Sequence, residues 1–284
     1  MKIKDTVSVI IVSYNTCDLL KQTIKSIYRA EGQPKWLEIL VVDNNSQDGS
    51  WQMVKKEFSR VRLMAMKKNL GFARANNLAA AKSNGKYLLF LNSDTILRRK
   101  AITKMVNFFQ TKPKAGIVGP KLLAKPNKVQ AFGMGYKTNL GQKIKTNLAP
   151  ILAVFGVSRK WLTKLSLEYW NWRQPRRVDW VTGAALMIKR DFFNKLGGFD
   201  SSFFMYFEDQ DLCWRTAGAG FQIWVIPGAK IIHLGGQSLK LTRQRKKYYF
   251  ASEDRFYQKH FSHRDYLLMR IISAPFRWWA LLRK

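Results

Sequence analysis

Residues 88–95 read Leu-Leu-Phe-Leu-Asn-Ser-Asp-Thr, and this stretch decides the expected fold. A short apolar run that ends abruptly in polar residues is typical of a strand buried on both faces of a sheet. In an open α/β sheet, ligands bind just beyond the carboxyl ends of such strands. We therefore expect Asn92, Ser93 and Asp94 to lie at the edge of a binding pocket.

Asp94 allows two interpretations. No Asp or Glu occurs between positions 95 and 167, whereas Lys and Arg are frequent there. An isolated carboxylate at a strand end could bind a hard divalent cation, which prefers oxygen ligands. Alternatively, Asp94 could cap the helix that the pattern predicts from Arg98 to about Gln110.

Strands and helices alternate over the first part of the chain. Apolar runs predict strands at 7–12, 39–42 and 61–66 and at the Leu88 stretch, with helices between them at 18–30, 50–58 and 69–82. Polar residues follow each strand on the same side of the sheet. This pattern predicts an α/β fold with a Rossmann-like, doubly wound and mostly parallel sheet.

The pattern loosens in an insertion at 121–177, beyond a further strand predicted at 116–120. The insertion is basic and aromatic, and it could be a helical cover on the sheet or a wall for a substrate with an apolar part. Its clustered aromatic residues are Trp161, Tyr169, Trp170 and Trp172. Strands are predicted again at 180–188, 223–226 and 231–234.

Two further features could be structural or functional. Glu208, Asp209 and Asp211 stand at the start of a predicted helix, where the helix dipole favours acids. They are nevertheless 3 of only 18 acidic residues in the chain. His233 lies at a predicted strand end, where it could be a hydrogen-bonded structural residue or a metal ligand.

The charge of the chain indicates an anionic partner. Lys and Arg number 50 against 18 Asp and Glu, a net charge of +32 over 284 residues. Nucleic acid, a phosphorylated ligand or an acidic membrane surface would each fit this charge. Cys17 and Cys213 give no disulfide framework and suit a reducing compartment. The first apolar run is too short for a signal peptide, and no run of about 18 apolar residues predicts a spanning helix.

The segment 239–284 combines basic and aromatic residues. Its basic residues are Lys240, Arg243, Arg245, Lys246, Lys247, Arg255, Lys259, Arg264, Arg270, Arg277, Arg283 and Lys284. It could be a solvated basic tail. Its Trp and Tyr content instead favours an amphipathic helical tail at a bilayer surface.

Several motifs in order carry a family resemblance over residues 7–260. They are VSVIIVSYN at 7–15, VVDNNS at 41–46, NLGFARANN at 69–77, LNSDT at 91–95, GGFD at 197–200, FEDQDLCWR at 207–215 and HLGGQS at 233–238. Together they make the chain similar to the inverting family-2 glycosyltransferases of the GT-A fold, and among them to the bacterial rhamnosyltransferase-like group.

The resemblance implies a donor site for a nucleotide sugar. The residues it places there are Ser13, Tyr14, Asn15, Asp43, Asn45, Gly71, Asn76, Asn92 and Ser93. Asn92-x-Asp94 occupies the family's Asp-x-Asp position, so Asp94 and His233 would hold a divalent cation, Mg or Mn. Two departures are Asn92 in place of an acid and Asn76 where many relatives have Arg.

The resemblance also implies the catalytic and acceptor residues. Asp209 would be the general base, with Glu208 as its competitor or as an acceptor-binding residue beside Gly183. Asp211 is a second competitor, but it could instead pair with Arg215, four positions further along the helix.

The expected protein is a metal-dependent inverting glycosyltransferase, peripheral on the cytoplasmic face of the membrane. Residues 1–238 would form the GT-A domain, with a nucleotide-sugar half at 1–120 and an acceptor half at 121–238, followed by the tail. It would transfer L-rhamnose from dTDP-L-rhamnose to a polyprenyl-diphosphate-linked saccharide in surface polysaccharide synthesis. One alternative is a donor such as UDP-galactose, UDP-glucose or a UDP-amino sugar. The other is a non-catalytic binder of nucleic acid or anionic polymer, although no nucleic-acid motif is present.

Overall fold

The structure is a computed structural model that describes residues 5–126, 128–130, 133–136, 173–235 and 243–282. Its first part alternates strands and helices, as the sequence predicts. The elements are β1 (Val7–Ser13), α1 (Cys17–Glu31), β2 (Leu37–Asp43), α2 (Ser50–Glu57), β3 (Val61–Ala65), α3 (Phe72–Lys82) and β4 (Tyr87–Asn92).

The rest of the described chain extends this unit. The strands are β5 (Thr95–Leu97), β6 (Ala115–Lys125), β7 (Lys128–Val129), β8 (Met134–Gly135), β9 (Arg176–Val178), β10 (Trp180–Val181), β11 (Ala185–Lys189) and β12 (Gln222–His233). The helices are α4 (Ala101–Thr111), α5 (Arg190–Lys195), α6 (Glu208–Gly218), α7 (Arg243–His260) and α8 (His263–Leu282).

One large sheet organises the described residues. Its strand order is β3-β2-β1-β4-β11-β6-β12-β5, with β7 paired to β6 and β9 paired to β12. β3, β2, β1 and β4 run parallel, while β11 is antiparallel to both of its neighbours. The predicted α/β fold with a doubly wound sheet is confirmed, and the antiparallel strands enlarge it beyond β4.

The core explains why the central strands read as continuous apolar runs. Ile11 and Leu89 face the layer formed by α1 and α4, while Ile10 and Phe90 face the layer that contains α3. All four side chains are buried because both faces of the sheet are covered. Such strands lose the alternation of polar and apolar residues.

The structure excludes one interpretation of Asp94 and corrects the bounds of several predicted strands, among them 180–188, which is two strands, β10 and β11, separated at 182–184. Asp94 does not cap a helix, because β5 follows it and α4 begins only at Ala101. The start of α4 is instead capped by the Glu31 carboxylate, which accepts the Ile102 N–H at 2.7 Å. The strands predicted at 223–226 and 231–234 are one strand, β12, whose pairing with β6 shifts between Ile226 and Lys230. The strand predicted at 116–120 extends over all of β6.

The helices α7 and α8 pack on the segment that leads into α6. Phe256, Tyr257 and Met269 form a buried cluster with Phe203 and Phe207. Arg277 of α8 joins the two helices by donating to Glu253 and Asp254 of α7, both at 2.7 Å. Among the described residues, no helix is both long and apolar enough to cross a membrane.

Part of the predicted insertion lies outside the described residues. The structure describes positions 121–126, 128–130, 133–136 and 173–177 of it. Trp161, Tyr169, Trp170 and Trp172 are therefore not placed, and the two interpretations of the insertion stay open.

Candidate active site

The ends of three parallel strands meet at one edge of the sheet. Ser13 at the end of β1 is paired in register with Asp43 at the end of β2. On the other side of β1, Val12 is paired with Asn92 at the end of β4. The polar residues that follow these strands therefore surround one site, as the sequence predicts.

Asp43 supplies a buried carboxylate to this site. Its side chain is 1% exposed. Oδ2 accepts the Ser46 N–H at 3.0 Å, whereas Oδ1 has no hydrogen-bond partner among the described residues. A buried anionic oxygen without a donor is unfavourable, so Oδ1 is ready to accept a hydrogen bond from a ligand.

The loops after β1 and β2 support each other. Asn15 donates its N–H to Ser46 Oγ at 3.0 Å, and its Oδ1 accepts the Gln47 N–H at 2.8 Å. Asn15 and Asn45 both have positive φ, 53° and 70°. Tyr14 and Asn45 are partly buried and Asn15 is exposed, which places them at the rim.

Asn44 is a site residue that the sequence analysis missed. Its Nδ2 donates to Asn69 Oδ1 and its Oδ1 accepts the Leu70 N–H, both at 2.8 Å. These bonds hold the loop before α3 against the end of β2. The Asn-Asn pair at 44–45 was a signal for this role, but only the structure shows which of the two amides faces inward.

Gly71 lies where the backbone approaches a neighbouring segment closely. It has φ +78°, and a Cβ at this position would lie 2.4 Å from the Phe204 carbonyl oxygen. No other residue fits there without displacing the backbone. Asn76 is buried, and its Nδ2 donates to the Phe72 carbonyl within α3 at 2.9 Å. Its assignment to nucleotide-sugar binding stays a prediction.

Asp94 and His233 meet beside Asn92. β5 pairs with β12, and Thr95 lies opposite His233. His233 Nε2 is 3.2 Å from Asp94 Oδ1 and 3.3 Å from Asn92 Nδ2. The Leu234 N–H also donates to the Asp94 carbonyl at 3.0 Å. Asp94 and His233, which are far apart in the chain, therefore lie next to each other at the sheet edge.

The hydrogen bonds of His233 fit a cation ligand. Gln130 Oε1 accepts from Nδ1 at 3.0 Å, so Nε2, which is 3.2 Å from Asp94 Oδ1, is the ring nitrogen that a cation could reach. An imidazole nitrogen and a carboxylate oxygen that face each other suit Mn²⁺ or Mg²⁺. No group of three or more His, Cys, Asp or Glu that could hold a metal occurs in the described residues. No motif or periodicity indicated a role for Gln130, which lies in the irregular insertion.

A chain of buried hydroxyls supports the Asn-Ser-Asp turn. Ser93 Oγ is 2.8 Å from Thr16 Oγ1, which is 2.8 Å from Ser13 Oγ. The single hydroxyl hydrogen of Thr23 in α1 is shared between the carbonyls of Ser93 and Thr95, whose oxygens lie 2.8 and 2.9 Å from Oγ1. The hydroxyls of Ser13 and Ser93 thus hold the turn against α1, and their predicted contact with a nucleotide sugar stays a prediction.

Asp209 lies beside the turn that leads into β11. Its Oδ2 accepts the Gly183 N–H at 2.7 Å. Ala184, the next residue, accepts the Asn92 N–H at 3.0 Å, which connects the acid to the end of β4. Burial raises the pKa of Asp209, and the Gly183 hydrogen bond opposes this shift. The carboxylate is therefore more basic than an ordinary Asp.

Glu208 has a different environment from Asp209. It is 5% exposed, and its Oε2 has no hydrogen-bond partner among the described residues. Burial and the charge of Asp209 raise the pKa of Glu208 well above its ordinary value. The two adjacent acids therefore differ in proton affinity, and Glu208 retains its proton more strongly.

Both carboxylate oxygens of Asp211 contact basic side chains. Arg215 donates to its Oδ2, while Lys259 and His260 contact its Oδ1 at 2.7 and 2.8 Å. Burial favours a higher pKa for Asp211, but the hydrogen bonds from His260 and Lys259 outweigh it and hold the pKa below its ordinary value. The predicted pairing with Arg215 is present. These contacts indicate that Asp211 has a structural role rather than that of the base.

The family model for Glycosyl transferase family 2 matches residues 8–197. The chain belongs to this family of glycosyltransferases. It falls in the rhamnosyltransferase-like group and has the GT-A fold, as its motifs predict.

Two curated relatives are rhamnosyltransferases. One is N-acetylglucosaminyl-diphospho-decaprenol L-rhamnosyltransferase of Mycobacterium tuberculosis, 27% identical over 242 residues, which cover 81% of this chain and 76% of the relative. The other is rhamnosyltransferase WbbL of Escherichia coli K12, 25% identical over 170 residues, which cover 57% of this chain and 60% of the relative.

A solved structure shares the fold. It is the mannosyltransferase PcManGT from Pyrobaculum calidifontis in complex with GDP-Man and Mn²⁺. The TM-score is 0.61 at 16% sequence identity, and the match covers 99% of this chain and 73% of that chain. At this identity, the likeness concerns the fold.

Proposed function

We propose that this protein is an inverting rhamnosyltransferase that uses dTDP-L-rhamnose. Its acceptor is a polyprenyl-diphosphate-linked saccharide of a surface polysaccharide. The observation that carries the proposal is the arrangement of acids at one edge of the sheet. Asp43 and the Asp94–His233 pair lie at strand ends, and Asp209, at the start of α6, contacts the turn before β11. The names of the two curated relatives support rhamnose as the sugar.

The donor binds along the edge formed by β1, β2 and β4. Asp43 Oδ1, buried and without a donor, accepts a hydrogen bond from the pyrimidine or the ribose. Ser13, Tyr14, Asn15, Asn45, Gly71, Asn76, Asn92 and Ser93 form or support the rest of the donor site. Asp94 and His233 would hold Mg²⁺ or Mn²⁺, and the ion would supply Lewis-acid stabilisation of the charge on the leaving diphosphate. The Mn²⁺ in the PcManGT complex supports this choice of cofactor.

Asp209 acts as the general base. It takes the proton from the acceptor hydroxyl while that oxygen attacks the anomeric carbon from the face opposite the diphosphate. The new glycosidic bond forms as the bond between the anomeric carbon and the diphosphate oxygen breaks, so the configuration inverts. Glu208 and Gly183 lie beside Asp209 and contact the acceptor.

The protein works as a peripheral protein on the cytoplasmic face of the membrane. Residues 1–238 form the transferase domain, and residues 239–284 form a segment that associates with the bilayer. One side of α8 supports this, because Leu267, Leu268, Ile271 and Trp278 are exposed large apolar residues on it. Exposed Arg264 and Arg270 flank this apolar surface. An apolar helix face with flanking cations fits an anionic bilayer.

A ligand panel tests the donor. Thermal unfolding of the full chain is measured with Mn²⁺ and dTDP-L-rhamnose, UDP-galactose, UDP-glucose or UDP-N-acetylglucosamine. A ligand that binds the folded state raises the melting temperature. At a concentration of 100 times its Kd, it adds about 2.7 kcal/mol to the free energy of unfolding. We expect the largest shift with dTDP-L-rhamnose and transfer of rhamnose to a lipid-diphosphate acceptor. A larger shift with a UDP-sugar, together with its transfer, would replace rhamnose as the donor.

A further inference from the structure

We infer that Lys259 and His260, at the end of α7, are positioning residues for the acid pair at the start of α6. The inference rests on the proposed role of Asp209 as the base. It assigns to the C-terminal segment a part in catalysis that is separate from membrane binding.

The chain enters α6 through a strained turn. Tyr206 and Phe207 directly precede Glu208 and have φ values of 72° and 64°. Residues other than glycine adopt this conformation only where the surrounding structure enforces it. The position of the acid pair therefore depends on whatever packs against these two residues.

The helix α7 supplies this packing. Ser252 donates its Oγ–H to the Met205 carbonyl at 2.7 Å. The Phe207 ring contacts the rings of Tyr249 and Phe256, with centroids 5.3 and 5.5 Å apart. Arg245 donates to the Tyr206 hydroxyl. These contacts hold the strained turn from one side.

The end of α7 holds the other side of α6 through Asp211. This carboxylate is fully buried and receives Lys259 and His260 on one oxygen. The His260 ring lies against Trp214 and Phe256, at centroid distances of 5.0 and 4.8 Å, so its direction is fixed by packing. Removing either donor weakens the pairing of a charge that water does not reach.

Asp209 and Asp211 lie on opposite sides of α6. Two residues along an α-helix are about 200° apart around its axis. Asp209 binds the Gly183 N–H on one side, and Asp211 binds α7 on the other. A rotation or shift of α6 after loss of the Asp211 contacts therefore moves Asp209 relative to Gly183 and to the end of β4.

A double-mutant cycle tests the inference in the full chain. His260→Ala and Lys259→Ala are made separately and together, each with and without Asp209→Asn. We expect His260→Ala to lower kcat by about tenfold to 10²-fold through misplacement of the base, with the donor KM unchanged. His260→Gln, which keeps a donor for Asp211, restores most of the rate. In the Asp209→Asn background, the loss caused by His260→Ala disappears, because both changes act on the same step.

A measurement without substrate separates this inference from the proposed function. Hydrogen exchange of the Gly183 amide, which is bonded to Asp209, is expected to be faster in His260→Ala than in the wild type. Gln258→Ala, an exposed neighbour on α7, is the matched control and leaves both exchange and kcat unchanged. If His260→Ala does not fold, Lys259→Ala carries the same comparison.

The outcomes are distinct. Wild-type protein that transfers no sugar refutes the proposed function, while the Gly183 exchange still decides the inference. Unchanged exchange and kcat in the Lys259→Ala and His260→Ala variants would overturn it. The inference would also be overturned if Gln258→Ala lowered the rate as much as His260→Ala does. The same holds if His260→Ala caused an equal loss of rate in the wild-type and Asp209→Asn backgrounds.

Discussion

His233 Nε2 lies 3.2 Å from Asp94 Oδ1, at the junction of β5 and β12. Gln130 fixes the imidazole by accepting from Nδ1, and Asn92 lies on the Nε2 side. The pair and the side chain that orients it come from three separate parts of the chain, which the sheet brings to one edge. This arrangement leads directly to the prediction about the metal.

We predict that Asp94→Ala abolishes sugar transfer while the protein remains folded. The carboxylate is the principal charged ligand of the proposed cation, so its loss removes the stabilisation of the leaving diphosphate.

Gln130→Ala should weaken Mn²⁺ binding by about 10- to 100-fold, as loss of a residue that orients a metal-binding His typically does. Mn²⁺ affinity measured by electron paramagnetic resonance checks both changes, with exposed Gln52→Ala as the control. Full activity in excess EDTA would contradict the metal site.

We predict that Asp209→Asn lowers the transfer rate by about 10² to 10⁴-fold with little change in donor binding. The amide is nearly isosteric and can keep a contact with the Gly183 N–H, but it cannot accept the acceptor's proton. Steady-state kinetics with a lipid-diphosphate acceptor and nucleotide titration measure the two effects separately. Glu208→Gln is the matched comparison. If Glu208→Gln is inactive and Asp209→Asn retains near-normal turnover, Glu208 is the base.

We predict that Glu208→Gln stabilises the fold at pH 8. The pKa of Glu208 is raised in the folded state, so ionisation opposes folding as pH rises above the unfolded-state value of about 4.3. The penalty is absent below that value and complete above the folded-state pKa. Removing about 1 kcal/mol would raise Tm by roughly 2–4 °C in a chain of this size.

Calorimetry at two pH values tests this stabilisation. The gain in Tm should be larger at pH 8 than at pH 5. Glu57→Gln is the control, because Glu57 is at the surface and paired with Lys21. An equal gain at both pH values would mean that the ionisation of Glu208 is not its cause.

We predict that Trp278→Ala and Ile271→Glu weaken binding to anionic vesicles. These side chains are 69% and 71% exposed, and burial of such a side chain in a bilayer surface contributes about 1.5–3 kcal/mol, or roughly tenfold or more in affinity. Sedimentation with vesicles of phosphatidylglycerol and phosphatidylcholine measures the change. High salt should release the wild-type protein, because salt screens the basic residues. Trp51→Ala removes an exposed Trp from α2 and is the matched control. An equal loss with Trp51→Ala would exclude α8 as the contact.

The sequence predicted the parallel half of the sheet from local patterns. β1, β2 and β4 are apolar runs buried on both faces. Because parallel strands end at the same edge of a sheet, their direction alone was enough to place their polar ends together. The alternative in which Asp94 caps a helix was wrong, because the strand β5 follows Asp94, and its three residues are too few to give a periodic signal. Asn44 and Gln130 were missed, since an amide in a loop does not reveal its partner in the sequence.

By itself, the sequence determined the family, the fold class and the set of candidate acids. Periodicity and motif order are local properties that survive without knowledge of packing. The motifs had also predicted that Asp94 and His233 share one site, and the structure brings them together. Tertiary structure alone decided that Asp209 meets Gly183 and that Asp211 meets the end of α7. It also decided how adjacent acids differ, because burial and neighbouring charges set the proton affinity of Glu208 and Asp209, and both depend on long-range packing.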